Sequence, residues 1–298
     1  MASSARSLQL VAAFATVYLV WGSTYLAIRV GVADLPPVLF AGVRFLIAAP
    51  LMLVYAWWRG ARLPRSAHDW AIIGLTALMM LVGANGLVTW AETWVESNQT
   101  ALIVATSALW MAWFGTWGAS GERFSALTLA GLLLGFGGVA LLVGAGLTRQ
   151  LAPWYAYAAL LLSPVLWAGG SVLSRRNPLG CAPLMVAALQ MLITGVIMTA
   201  LGLALGDAAR WQPTFPSLSA LVYLALFGSC LAYGAYFWLV HEVTPAQLGT
   251  YAYVNPAIAA LLGWWLLDEH MQPAQVLGTL IVLAGVALVT VAARRKPG

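Results

Sequence analysis

Charge and cysteine are the scarcest features of this sequence. Only 8% of its 298 residues are charged, against roughly 25% in soluble domains. The two cysteines, Cys181 and Cys230, share no CxxC or metal-ligand spacing, which argues against a disulfide framework and against a metal site. The single lysine, Lys296, lies in the C-terminal tail, and no basic stripe with interleaved aromatic residues predicts nucleic-acid binding. We expect no metal, no cofactor and no nucleic-acid partner.

Catalytic patterns are also missing. The three histidines, His68, His241 and His270, lie near the ends of apolar runs, and the chain has no HExxH or GxSxG motif. We therefore do not expect an enzyme, and an intramembrane enzyme stands as the alternative from another class. A channel would ordinarily show a filter motif or a ring of charges.

Long apolar runs dominate the chain, with 62% hydrophobic residues and a mean hydropathy of +0.88. About 20 apolar residues are needed to cross a hydrocarbon core of roughly 30 Å. Short connections separate the runs, so the sequence predicts an all-α membrane protein with ten transmembrane helices. The predicted spans are 8–29, 37–58, 70–91, 98–118, 125–145, 154–174, 181–205, 217–239, 246–266 and 273–292.

The first half of the chain is repeated in the second half. GERFSALTLAGLLLGFGGVALLV at 121–143 aligns with DEHMQPAQVLGTLIVLAGVALVT at 268–290, with seven identities in 23 positions. A shift of 146 also aligns Trp21 with Trp167, Arg29 with Arg175 and Pro37 with Pro183. Internal repeats are common in transporters. We predict two five-helix repeats, 1–147 and 148–298.

Arginine placement predicts the orientation. Ten cations fall on the side of the N-terminus, and only Arg29, Arg149 and Arg210 fall on the other. The positive-inside rule then places both termini in the cytoplasm. Because each repeat contains an odd number of crossings, the second repeat enters the membrane from the opposite face. Two inverted repeats predict alternating access to a site near the midplane.

Four segments carry a family resemblance. VWGSTYLAIRVG (20–31), RFLIAAPLML (44–53), the GERF segment above and YVNPAIAALLGWWLLDE (253–269) resemble the EamA family of the drug/metabolite transporter superfamily, in two EamA-like repeats. The resemblance implies a ten-helix bacterial inner-membrane transporter, commonly an exporter of amino acids and related metabolites. It also implies that the first four helices of each repeat surround the cavity. The alternative is export of other metabolites or drugs by proton antiport.

Polar and aromatic residues near the middle of spans are the candidates for substrate binding, because polar groups in hydrocarbon are costly unless they face protein or a cavity. Trp21 and Trp167 are matched by the repeat and could form a cavity wall or a gate, or simply pack. Asn255 offers an amide that can meet either charge of a zwitterion. The remaining candidates follow Trp21 or lie on other spans: Ser23, Thr24, Asn85, Trp110, Tyr233 and Tyr251.

Arg44 is the one cation well inside a predicted span. It either pairs with a substrate carboxylate or holds a structural network, and its repeat counterpart, Gln190, carries no charge. A single cation argues against nucleotide sugars and organic phosphates, so we expect small zwitterions, most simply amino acids of varied side chain.

No Asp or Glu lies in the central part of a span, which predicts facilitated diffusion rather than a carboxylate proton relay. Glu92, Glu96 and His241 could titrate at the rims of the spans, but charges at such positions are more often simply solvated. Gly131, Gly135 and Gly138 predict close packing of the fifth span, either on the tenth span through Gly278 and Gly285 or between two copies. The expected assembly is a monomer or weak homodimer in membrane lipid.

Overall fold

The computed structural model describes residues 2–118, 125–144, 152–266 and 273–294. Within these ranges the chain is helical and contains no strand. Several sequence predictions fall outside the described residues: the repeat boundary at 147/148, the start of the GERF segment, and residues Arg123, Arg149, Asp268, Glu269, His270, Arg295 and Lys296.

The first half holds five helical segments. They are α1 (Ala2–Asp34), α2 (Pro37–Trp58), α3 (Ala67–Ala91), α4 (Ser97–Ala105 and Ser107–Gly115) and α5 (Ala126–Gly144). The second half repeats the pattern. Its segments are α6 (Trp154–Arg176), α7 (Pro183–Ala204), α8 (Phe215–Glu242), α9 (Pro245–Gly249 and Tyr251–Leu266) and α10 (Pro273–Arg294).

Six of these helices are long and apolar enough to cross a membrane, and three more described stretches are shorter apolar helices. The six are α1, α2, α3, α6, α7 and α8. The structure therefore supports a multi-pass membrane protein. The count of ten crossings stays a prediction.

Matched residues begin and end the helices of both halves. Pro37 and Pro183 each occupy the first turn of a helix, where the missing N–H of proline is harmless. Gly60 and Gly206, which are 146 positions apart, adopt φ of 78° and 77° just after α2 and α7. A residue without Cβ takes this left-handed conformation easily. The duplication therefore extends to the backbone geometry of the helix ends.

Both third helices contain a π-helical segment, Leu78–Asn85 in α3 and Leu224–Tyr233 in α8. The two segments begin 146 positions apart. Both fourth helices are interrupted at a threonine, Thr106 in α4 and Thr250 in α9. π-helical turns are rare and are often found at functional sites.

The bundle has two faces, which we name by the aspartates that lie there. Contacts at the Asp34 face include Thr214 donating to the Asp34 carboxylate, and contacts at the Asp69 face include the Arg6–Glu242 ion pair at 2.7 Å. Arg29 caps the end of α3 at the Asp34 face through the carbonyl of Glu92. Its repeat counterpart, Arg175, caps the end of α8 at the Asp69 face. These two equivalent residues therefore lie at opposite faces of the bundle.

Glycines join α5 to α10. A Cβ at Gly285 would lie 2.6 Å from the backbone nitrogen of Gly135, and a Cβ at Gly138 would lie 2.9 Å from the carbonyl oxygen of Gly278. Small residues allow such close approach of two helices in lipid. Of the two packings that the sequence allowed, the structure thus has the fifth span on the tenth, and this glycine face is used within the chain.

Candidate functional site

A cavity lies on the Asp34 side of the bundle centre, between the inner faces of seven helices: α1, α2, α3, α4, α6, α8 and α9. Its empty volume, including the space that is open to solvent, is about 670 Å³. Its walls come from both repeats: Trp21, Thr24, Tyr25, Ile28, Arg44, Phe45, Leu81, Ala84, Asn85, Val88, Val104, Ser163, Trp167, Gly228, Ser229, Tyr233, Tyr251 and Asn255.

An aromatic layer closes the cavity toward the Asp69 face. The rings of Trp21 and Trp167 meet edge to face with centroids 5.5 Å apart, so the two residues matched by the repeat are in contact. Tyr236 and Tyr251 lie 4.9 Å and 5.1 Å from Trp21, by ring centroids. The Trp21–Tyr251 pair is also edge to face, whereas the Tyr236 ring is tilted against Trp21; edge-to-face pairs at such distances are favourable beyond their buried area. The layer separates the cavity from the packed half of the bundle.

Hydrogen bonds hold the layer in place. The indole of Trp21 donates to the carbonyl of Gly228 at 3.1 Å, and the indole of Trp167 donates to the hydroxyl of Tyr236 at 2.9 Å. The Tyr236 hydroxyl also bonds Ser171 at 2.7 Å. Since the polar atoms of these rings are satisfied by protein, the layer presents mainly its apolar faces to a solute.

The two π-helical segments supply about a third of the wall. Leu81, Ala84 and Asn85 come from α3, and Gly228, Ser229 and Tyr233 come from α8. A π-helical turn changes the angle between successive side chains, so it turns residues inward that a regular helix would direct elsewhere.

Arg44 supplies a positive charge to the cavity. The residue is 5% exposed, its Nε donates to the Ser229 hydroxyl at 2.9 Å, and its guanidinium lies 5.0 Å from the ring centre of Phe45. No carboxylate among the described residues pairs with it. A buried charge is normally paired. The guanidinium therefore has capacity for an anion in the cavity.

Two amide oxygens complement that charge. Oδ1 of Asn85 and Oδ1 of Asn255 are buried and accept no hydrogen bond, and both residues line the cavity. The hydroxyl of Thr24 differs, because it already donates to the carbonyl of Trp21 at 2.8 Å. The cavity thus combines a cation with two unpaired acceptors.

The equivalent position in the second repeat is fully occupied by internal bonds. Gln190 Nε2 donates to Thr76 Oγ1 at 2.7 Å, and the Tyr233 hydroxyl donates to Gln190 Oε1 at 2.6 Å. Gln190 and Thr76 do not line the cavity, so the first repeat places a cation without a carboxylate partner in the cavity wall, and the second places a fully bonded amide outside it.

Most predicted site residues share the cavity. It is lined by Trp21, Thr24, Arg44, Asn85, Trp167, Tyr233, Tyr251 and Asn255. Ser23 points elsewhere and bonds the Tyr223 hydroxyl at 2.6 Å. Trp110 packs against Trp113 and Phe114 outside the cavity wall. Whether any of these residues binds substrate stays a prediction.

Tyr25 and Ser163 line the cavity although sequence reasoning did not name them. Helical periodicity could have identified Tyr25, because residues four apart share a face and Tyr25 follows Trp21 by four. The indication for Ser163 is weaker: it precedes Pro164, which removes a backbone donor inside α6.

Glu92 is not the solvated rim charge that the sequence suggested. It directly follows the end of α3, is 0% exposed, and neither carboxyl oxygen has a hydrogen-bond partner. Burial raises the pKa of the Glu92 carboxyl well above its usual range, and the charge of Arg29 opposes that rise. The turn after α3 folds this side chain into protein instead of water.

Known proteins resemble the chain over nearly its whole length. The model of the EamA-like transporter family matches twice, at residues 9–144 and 154–291. The chain is 38% identical to the uncharacterized inner membrane transporter YedA of Escherichia coli K12, over 95% of this chain and 91% of that protein. An uncharacterized transporter of Archaeoglobus fulgidus is 24% identical over 93% and 95%. A solved crystal structure at 24% identity has a TM-score of 0.79 over 96% of this chain and 99% of that one, and so has the same fold.

Proposed function

The chain belongs to the EamA-like transporter family, and on this premise we propose that it carries amino acids of varied side chain out of the cell. It is a multi-pass protein of the inner membrane that transports small molecules, like its relatives. The amino-acid specificity, the direction and the mechanism are our proposal.

The observation that carries the proposal is the charge arrangement of the cavity. Arg44 has no carboxylate partner among the described residues, and Oδ1 of Asn85 and Oδ1 of Asn255 are unpaired acceptors in the same wall. A guanidinium binds a carboxylate through paired N–H donors, and amide oxygens accept from an ammonium. A small zwitterion satisfies both groups at once.

The cavity wall favours tolerance toward the side chain of the substrate. Trp21, Trp167 and Tyr251 present apolar ring surface, which accommodates groups of differing shape without directional bonds. A phosphate-bearing solute would call for several cations, and Arg44 is the cation of this wall.

We further propose ten crossings, with the Asp69 face in the cytoplasm. The described arginines at helix ends support this orientation through the positive-inside rule. Those at the Asp69 face are Arg6, Arg59, Arg62, Arg65, Arg175 and Arg176, and those at the Asp34 face are Arg29 and Arg210.

Transport would proceed by alternating access, with the aromatic layer and the outer helix ends separating in turn around the cavity. Because no described carboxylate lies in the middle of a span, we propose a facilitator. Cytoplasmic amino-acid pools would then drive net flux outward.

Counterflow in proteoliposomes tests this proposal. Vesicles are loaded with an unlabelled amino acid, and entry of a labelled amino-acid panel is measured against protein-free vesicles. For the best substrate, the free zwitterion should compete, whereas its N-acetyl and carboxamide derivatives should not, because each lacks one charge. Absence of saturable counterflow for every member of the panel, or equal competition by both derivatives, would refute the proposal.

A further inference from the structure

Glu92 is buried away from water where α1, α3, α4 and α6 meet at the Asp34 face. The surrounding apolar cluster is formed by Val88, Ala91, Val95, Ala156 and Leu160, with Tyr25, Ile103, Val104, Ala152 and Tyr157 packed against it. Neither carboxyl oxygen finds a hydrogen bond there. An ionised carboxylate in such a place is costly, so the closed arrangement favours the neutral acid.

The charged and titratable groups of the packed elements are few. Helix α1 contributes Arg29, which donates to the backbone carbonyl of Glu92, and Tyr25, which lines the cavity. The turn itself carries Glu96, which is half-buried and has its own partner.

Helix α4 carries no charged or titratable residue, and the nearby helices α2 and α6 add no ion-pair partner for Glu92 among the described residues. Helix α2 carries Arg44, which bonds Ser229 in the cavity. Helix α6 carries Tyr155, whose ring packs on Trp90 and Trp94, and Tyr157. Arg29 is the charged residue of the described chain that acts on the Glu92 carboxyl, and its charge lowers the pKa of that carboxyl.

This position adjoins the outer end of the cavity. Val88 lines the cavity one helical turn before Glu92, and Ile28 lines it next to Arg29. The bond from Arg29 to the Glu92 carbonyl joins α1 to the end of α3. Separation of these two helix ends would open the cavity at the Asp34 face and would bring the Glu92 carboxyl into water.

We propose that Glu92 is a proton-binding site through which the pH at the Asp34 face controls opening of the cavity. With a proton bound, the neutral carboxylic acid remains buried and the ends of α1 and α3 stay together. When the proton leaves to water, the carboxylate is stable only in the separated arrangement. The inference rests on the alternating access of the proposed function and adds a regulatory input to it.

The sign of the effect follows from linkage. A carboxyl whose pKa is raised in the closed state stabilises that state below its ordinary pKa, and this contribution is lost as pH rises through the raised value. Alkaline pH therefore favours opening. Glu92→Gln, which keeps the shape of the neutral acid, should remain closed at every pH.

Thiol labelling without substrate tests the inference. Val88→Cys is introduced with Cys181→Ala and Cys230→Ala, and a membrane-impermeant thiol reagent is applied at pH from about 5 to about 8. The ratio of labelling rates, native Glu92 over Glu92→Gln, should rise severalfold from the lower to the higher pH, because the ionised carboxylate favours the separated arrangement. The ratio cancels the intrinsic pH dependence of the thiol. A constant ratio would overturn the inference.

Thermal unfolding provides a second readout if the cysteine variant folds poorly. Glu92→Gln should unfold at the same temperature as the native protein near pH 5 and at a higher temperature near pH 8. The control Glu96→Gln, on the same turn but half-exposed, should show no such pH-dependent difference. An equal offset for Glu92→Gln at both pH values would contradict the proposal. Neither measurement uses a substrate, so failure of amino-acid transport would leave the result interpretable.

Discussion

Replacing Arg44 by glutamine distinguishes a role in substrate binding from a role in holding the fold. The same exchange already exists within the molecule, because Gln190 occupies the equivalent position of the second repeat and is fully buried there. Arg44→Gln therefore removes the charge and the forked N–H donors while keeping a side chain that this helix pair accommodates.

Two effects of opposite sign determine the stability of the empty protein. The hydrogen bond from Arg44 to Ser229 is lost, whereas the desolvation of a buried cation without a carboxylate partner is relieved. Both amount to a few kcal/mol, so we expect the free energy of unfolding to change by about 1 kcal/mol or less.

Substrate binding has no such compensation. A hydrogen bond to a charged group contributes about 1.5–3 kcal/mol, and about 1.4 kcal/mol corresponds to a factor of ten in affinity. Loss of the guanidinium should therefore weaken amino-acid binding by roughly 10- to 150-fold.

The assay combines thermal unfolding in detergent, with and without the best counterflow substrate, and counterflow itself. Arg44→Gln should unfold close to the native temperature, lose the substrate-induced shift and lose most counterflow. Ser229→Ala is the matched control, since it removes the hydroxyl but leaves the charge, and it should retain much of the transport. If Arg44→Gln unfolds far more easily yet still transports when folded, Arg44 is structural and the reasoning is refuted.

Three further predictions follow from the same contacts. Asn255→Ala should weaken amino-acid affinity by roughly tenfold in titrations while leaving the unfolding temperature nearly unchanged, because its Oδ1 accepts no bond in the empty protein. Gln190→Ala should instead lower the free energy of unfolding by about 1–3 kcal/mol, because the buried Tyr233 hydroxyl loses its acceptor. A denaturation midpoint equal to that of the native protein would contradict this. Gly285→Leu should lower the free energy of unfolding by about 1–3 kcal/mol or more, since the backbone of Gly135 leaves no room for a Cβ. A folded yield equal to that of the native protein in size-exclusion chromatography would count against the α5–α10 contact.

The helical fold and the duplication could be predicted from the sequence because both depend on patterns within the chain. Apolar runs of membrane length predict helices whatever their neighbours are, and a constant shift of about 146 positions aligns Trp21 with Trp167 and Arg29 with Arg175. The odd number of predicted crossings implied inversion. The structure places these arginines at opposite faces.

The site could be predicted only in part, because in a membrane protein the lipid-facing and core-facing sides of a helix are both apolar. Sequence reasoning could locate Ser23 and Trp110 near the middle of spans but could not tell that they face away from the cavity. The π-helical segments add to the difficulty, since they change the angle at which α3 and α8 present their residues.

By itself, then, the sequence determined the helices, the repeat, the symmetric tryptophan pair and the shortage of charge. Tertiary structure alone decided that Arg44 faces the cavity without a carboxylate partner in the described chain while Gln190 is bonded internally, and that Glu92 is buried instead of solvated. The physical reason is that both questions concern which neighbours surround a side chain. Neighbours far apart in sequence are set by how helices rotate and pack against each other, and not by the composition of any one helix.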